Sequence, residues 1–147
     1  LSTGVHTLTS DSKLANIQTI KANSSGSQLD LTNQTENFTI EVGAGTDNVK
    51  GGSGVDTITI NTAGQGNGDT LDGGAGTSDV LQLSAGSHSF TTDAKLLNVE
   101  TILADMVTDP TFTNVTSPLE EFTVATEVSL EEYTIGNPEI LDVPVSV

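Results

Sequence analysis

The chain has no cysteine, no tryptophan and no arginine: its four basic residues are all lysines. Without cysteine, disulfides cannot reinforce a weak core, and the redox compartment stays open. Aromatic residues make up 3% and hydrophobic residues 34% of 147 positions, too little bulky apolar material for a conventional globular core of this length. No run approaches the roughly 18 apolar residues of a membrane span, so no membrane insertion is expected. The chain opens on Leu1 with no basic-then-apolar segment. No secretory signal peptide is visible, and it reads as a mature product or an internal piece of a longer protein.

The scarcity of positive charge excludes partners as well. Twenty acids face four lysines, giving a formal charge of −16. Binding to nucleic acid needs Lys and Arg against phosphate, so nucleic acid is excluded and anionic membrane surfaces are disfavoured. Self-repulsion at this density destabilises a compact fold unless cations neutralise it. Val, Ile, Leu and Thr nevertheless recur in short regular bursts, which is not a disordered composition. A stacked architecture with a thin aliphatic core satisfies both facts.

The chain repeats itself. Residues 4–22 (GVHTLTSDSKLANIQTIKA) and 86–104 (GSHSFTTDAKLLNVETILA) are identical at ten of nineteen positions at an offset of 82. A fainter echo links LTNQT and NFTIEV of 31–42 with FTNVT and EFTVAT of 112–126. Fixed-period self-similarity marks a solenoid or array, and implies that neighbouring copies or repeats are partners. Short strands bounded by turn residues are predicted at 5–9, 17–22, 28–31, 38–42, 57–60, 80–83 and 99–103. A helical turn is the alternative around 11–14 and its copy 93–97, and residues 119–128 favour strand over helix because Thr and Val dominate. The chain reads as all-β. Residues 105–147 differ in kind, with nine acids, no lysine and all four prolines. They are expected to be an irregular acidic segment, a cap, partial second repeat or linker following a unit that spans 1–104.

Between residues 42 and 81 stand four Gly-rich segments, each closing on an aspartate and a β-favouring residue: VGAGTDNVK, GGSGVDTIT, GQGNGDTLD and GGAGTSDVL. Glycine turns where a side chain would clash, and one carboxylate follows each turn. Carboxylate and carbonyl oxygen without nitrogen or sulfur is the donor set of a hard cation such as Ca²⁺. The plain alternative is a set of turns in which Asp serves as a turn residue. GGSGVDTIT matches the nonapeptide GGxGxDxUx, with U a large aliphatic residue, at every defined position. It resembles the RTX repeats of secreted bacterial toxins, proteases, adhesins and surface-layer proteins, and the NVETI phrase of 98–102 is similar to such surface proteins.

The resemblance implies a right-handed parallel β-roll, a β-solenoid with calcium-binding Gly-rich turns. The ligand positions it carries over are Gly43, Gly45 and Asp47, Gly52, Gly54 and Asp56, Gly64, Gly66 and Asp69, and Gly74, Gly76 and Asp79. Gln65 and Asn67 replace glycines in the third segment, and the fourth has one residue too many, leaving Ser78 or Asp79 for the carboxylate position. Every second repeat stacks on the same side, pairing Asp47 with Asp69 and Asp56 with Asp79 around two or three calcium ions. The function implied is a calcium-binding structural module of a bacterial surface layer or adhesin, secreted or at the cell surface, folding on extracellular Ca²⁺. Two alternatives stand beside it: the C-terminal type I secretion and folding module of an RTX toxin or enzyme, and a carbohydrate-binding solenoid module.

No enzyme is expected. GxSxG, HExxH and P-loop motifs are absent. His6 and His88 occupy equivalent repeat positions, which favours a structural role. The pairs Glu120/Glu121 and Glu131/Glu132 read as solvated acids, and the bond between Asp109 and Pro110 as an ordinary one. Thr57, Thr59 and Thr62 would begin a threonine row on a flat face, but the other three Gly/Asp segments do not continue it.

Overall fold

The computed structural model describes residues 1–11, 14–62, 64–90 and 95–104 in full, and beyond them the backbone of three short strands. Bursts of β-branched and aliphatic residues form strands, and the Gly- and Asn-rich stretches between them form corners. In chain order the strands are β1 (Gly4–Thr7), β2 (Thr19–Lys21), β3 (Ser27–Asp30), β4 (Thr39–Glu41), β5 (Asn48–Lys50), β6 (Thr57–Ile60) and β7 (Thr70–Asp72). They continue as β8 (Val80–Leu83), β9 (Ser89–Phe90), β10 (Leu96–Leu97), β11 (Thr101–Ala104), β12 (Thr111–Phe112), β13 (Glu121–Val124) and β14 (Val145–Ser146).

Alternate strands fall in different sheets. One sheet runs β1-β3-β5-β7-β10 and the other β2-β4-β6-β8-β11-β13-β14, with β9 paired to β12. Pairing is parallel throughout. The molecule is therefore an all-β parallel β-solenoid, each coil contributing a strand to each sheet. The second sheet does not stop at residue 104, because β11 pairs with β13 and β13 with β14.

The nine-residue rhythm holds for one coil: Thr39 pairs with Thr57, 18 residues on. Elsewhere Thr19 and Thr39 lie 20 apart, Asn48 and Thr70 22 apart, and Thr57 and Val80 23 apart. Extra residues are absorbed at corners while strand register is kept, since a one-residue slip would turn every inward side chain outward.

The core is two facing aliphatic files. Ile20, Ile40, Ile58, Leu81 and Ile102 line the second sheet, and Leu29, Val49, Leu71 and Leu96 the first, all buried. Ile60, Leu83 and Ala104 form a further buried file in the second sheet, and Leu31, Phe38 and Phe90 belong to the same buried cluster. Each such side chain contributes about 1.5–3 kcal/mol on burial. A narrow core thus suffices, because every coil is stacked on its neighbours.

Two expectations need correction. Strands β5, β7, β9, β10, β12 and β14 were not among those predicted; Asp11 and Lys95 lie in 3₁₀ turns within the two expected helical turns, but Leu96–Leu97 at the end of the second is a strand. A threonine row does exist. Thr57 stands in file with Thr39, Thr19 and Thr101, all outside the Gly/Asp segments, while the one other such segment on this face carries Val80, so those segments do not continue the row. The neighbouring file reads Lys21, Glu41, Thr59, Gln82 and Leu103, so the face is mixed, with Lys21 and Glu41 ion-paired at 2.7 Å. The pair Glu131/Glu132 and the bond between Asp109 and Pro110 lie outside the described residues, as do Glu120 and the side chain of Glu121.

Candidate metal centre

Each Gly-rich corner ends on its aspartate just before a strand, so stacking the coils stacks the aspartates. Asp47, Asp56, Asp69 and Asp79 are all completely buried. In the first column Asp69 Oδ1 accepts the backbone N–H of Asp47 (2.7 Å), and Asp47 Oδ1 that of Ser27 (2.6 Å). In the second, Asp79 Oδ1 accepts the N–H of Asp56 (2.7 Å), and Asp56 Oδ1 that of Phe38 (2.8 Å). The pairs that the resemblance implies, Asp47 with Asp69 and Asp56 with Asp79, are therefore neighbours, and Asp79 rather than Ser78 holds the carboxylate position.

The second carboxylate oxygens divide the four. Asp47 Oδ2 accepts Gly43 N–H (3.2 Å) and Asp56 Oδ2 accepts Gly52 N–H (2.8 Å), each donor lying four residues upstream. In the irregular segments the equivalent N–H groups are taken elsewhere: Gln65 donates to Thr62 O and Ala75 to Gly52 O. Asp69 Oδ2 and Asp79 Oδ2 are buried with no hydrogen-bond partner.

Burial without full compensation shows in the titration behaviour. Desolvation raises all four carboxyls, against the N–H donors that hold them down. Asp69 is pushed up to about 7, chiefly by burial, with the Asp47 charge adding and Lys95 opposing. Asp79 is pushed up to about 6 by burial, then by the charges of Asp56, Glu100 and Asp72, with the Asp56 N–H opposing.

Backbone carbonyls supply further oxygen. Gly52 and Gly54 sit over the carbonyls of Gln34 and Glu36, and Gly74 and Gly76 over those of Gly52 and Gly54, so closely that a Cβ would collide. A Cβ on Gly76 would also lie 2.8 Å from both Asp79 oxygens. These positions are glycine because the space belongs to oxygen atoms of adjacent coils. Gly43 and Gly45 meet the backbone of Asn23 and of Ser25 and Gly26 in the same manner. Gly64 and Gly66 do not join this pattern: Gly64 donates to Ser87 O, and Gly66 faces Ile60 and Phe90.

Sequence reasoning missed three participants. Glu100 Oε2 accepts Asp79 N–H (2.7 Å) and ends the second column. It was legible as an acid one residue ahead of a strand, 21 residues after Asp79, but no glycines precede it. Asn37 Oδ1 accepts Val55 N–H (2.8 Å), and Asp72 Oδ1 accepts Gly74 N–H (3.0 Å) and Asn98 Nδ2 (2.7 Å). His6 and His88 hold their own corners, Nε2 meeting the carbonyls of Ser2 and Ser84.

The donor set is oxygen throughout, which suits a hard dication and no thiophilic metal. Among the described residues no three His, Cys, Asp or Glu side chains converge on one point. A cation here would draw on paired carboxylates, Asp47 with Asp69 or Asp56 with Asp79, completed by corner carbonyls such as those of Gly52 and Gly54. The unpartnered Asp69 and Asp79 oxygens fit that role. Fold and site together define a parallel β-solenoid with buried carboxylate columns at its corners. In comparisons with family models, curated proteins and solved structures, nothing matches the chain.

Proposed function

We propose that the chain is a calcium-binding structural repeat module of a secreted bacterial surface protein, a surface-layer or adhesin component that folds on meeting extracellular Ca²⁺. The observation that carries this reading is the pair of carboxylate columns, fully buried in a chain of charge −16, with two oxygens lacking any donor. Burying unpaired carboxylates is costly unless a proton or a cation accompanies them. Calcium, when bound, supplies the positive charge and coordination that these oxygens otherwise lack. Asp47, Asp56, Asp69 and Asp79 then link successive coils through the ion and through the backbone N–H groups they already hold.

Ion binding becomes folding energy because the columns exist only in the stacked state. Extracellular calcium modules work at roughly 10⁻⁴–10⁻³ M, so the chain would stay loose at cytosolic calcium and order outside. The test is circular dichroism and thermal melting in chelator and in millimolar calcium. Calcium is expected to raise strand content and melting temperature together. Identical spectra and melting curves in the two conditions would sink the proposal.

A further inference from the structure

Two coils of the solenoid share one sequence but not one environment. The match of residues 4–22 with 86–104 extends back to Leu1 and Ser2, which equal Leu83 and Ser84. Their conformations match too. Asn16 (φ 66°) and Asn98 (φ 49°), equivalent in the repeat, are the two non-glycine residues of positive φ among the described residues. His6 Nε2 meets Ser2 O at 2.8 Å, and His88 Nε2 meets Ser84 O at 2.9 Å.

What lies beneath them differs. The later coil is seated on residues 64–83: β10 pairs with β7 and β11 with β8. Glu100 Oε2 accepts Asp79 N–H, Asn98 Nδ2 donates to Asp72 Oδ1, and Lys95 Nζ donates to Gly68 O at 2.6 Å. In the first coil β1 and β2 are the outermost strands of their sheets, with no strand on their outer flank among the described residues. Leu83 and Val99 are completely buried, whereas their counterparts Leu1 and Ile17 are 45% and 43% exposed. Among the described residues, only the Leu1 ammonium, donating to Lys21 O at 2.7 Å, reaches this edge of β2. The first coil thus carries the later coil's apolar and amide groups on an edge without a neighbouring strand, which invites another strand.

We infer that the open flank of β1 and β2 is a docking surface for a Gly/Asp coil of the pattern of residues 64–82, belonging to a preceding unit joined ahead of Leu1. The chemistry of the seat is retained. Gln18 stands where Glu100 stands and keeps an acceptor oxygen for the N–H of the incoming aspartate. Asn16 keeps the amide that Asn98 donates. A second free molecule does not supply the occupant, because its residues 64–83 already carry its own later coil. The preceding unit buries Leu1 and Ile17 and continues both sheets.

The test lengthens the full chain by a second copy of residues 23–82, so that Gln82 precedes Leu1 as it precedes Leu83. Amide hydrogen exchange of β1 and β2 is compared between the original and lengthened chains. Amides pointing away from β3 and β4 are expected to slow by about tenfold or more in the lengthened chain. Deleting one residue at the junction is expected to abolish that protection, because the slip inverts the faces of the added strands. Unchanged exchange in the lengthened chain overturns the inference. So does protection already present in the original chain together with a concentration-dependent mass in sedimentation, since self-association then covers the edge.

Discussion

Asp56 and Asp79 stand one above the other in the same column, yet their carboxylates are occupied differently. Asp56 engages both oxygens with backbone N–H groups, whereas Asp79 engages one and leaves Oδ2 buried and alone. Asp47 and Asp69 repeat the contrast in the other column. The difference follows the regularity of the segment. Where glycine stands four residues upstream, as Gly43 and Gly52 do, its N–H faces its own aspartate. Where Gln65 or Ala75 stands there, that N–H is drawn to another carbonyl. Regular segments are thus satisfied by backbone alone, and irregular segments leave oxygen free for a proton or a cation.

The largest effect that would break this comparison is expected at a regular segment. In Asp56→Asn one carboxylate oxygen becomes an NH₂ group facing either the Gly52 or the Phe38 N–H, donor against donor in a fully buried site. Two buried groups lose their partner, each costing about 1–3 kcal/mol. Urea unfolding in chelator should therefore show a loss of roughly 2–5 kcal/mol, and a larger loss in calcium, where a ligand of the ion goes as well. A variant as stable as the parent would mean that Asp56 is not held by two donors.

How much of this was legible beforehand depended on which residues carried the signal. The strands at 57–60 and 80–83 followed from alternation, and the pairing of the four aspartates from the resemblance to the nonapeptide repeats. Glu100 did not, because its segment has no glycine turn to announce it. Strands β5 and β7 are three residues long inside glycine-rich stretches, where local propensity is low and only stacking makes them strands. The threonine file was not legible because Thr19, Thr39 and Thr101 lie outside the Gly/Asp segments, and only stacking of the coils brings them into line with Thr57. The bare oxygens of Asp69 and Asp79 depend on where the N–H groups of Gln65 and Ala75 go, a matter of three-dimensional corner geometry.

A second prediction uses the proton as a probe of the irregular half. Asp69 and Asp79 titrate at about 7 and about 6 in the folded chain, above the ordinary carboxylate value of 3.8. A group whose folded pKa is raised binds its proton more tightly folded than unfolded. Its stabilisation is complete below about pH 4 and is lost as pH rises through 6 and 7. Without calcium, the melting temperature should therefore rise by roughly 5 °C on going from about pH 8 to about pH 5. Relief of the general negative charge acts in the same direction, so the decisive comparison is a double Asp69→Asn, Asp79→Asn variant, in which most of the step should vanish. In millimolar calcium the ion competes with the proton, and the gain on acidification should shrink or reverse. A step of equal size in the double variant would assign it to overall charge instead.

The smallest expected effect is the most discriminating. In Asp79→Asn the Oδ1 bond to Asp56 N–H can be kept, and the new NH₂ takes the place of an oxygen with no donor. Around that place lie carbonyls: a Cβ on Gly73 would meet Asn98 O, and one on Gly76 would meet Gly54 O. An amide can donate to them, and the burial of a charge is removed at the same time. Stability in chelator should then stay level or improve by about 1 kcal/mol, opposite in sign to Asp56→Asn in the same column. With calcium present the variant should gain less than the parent, because the oxygen offered to the cation is gone. If Asp79→Asn and Asp56→Asn lost the same stability in chelator, the unpartnered oxygen would have no energetic meaning, and the distinction between regular and irregular segments would fall.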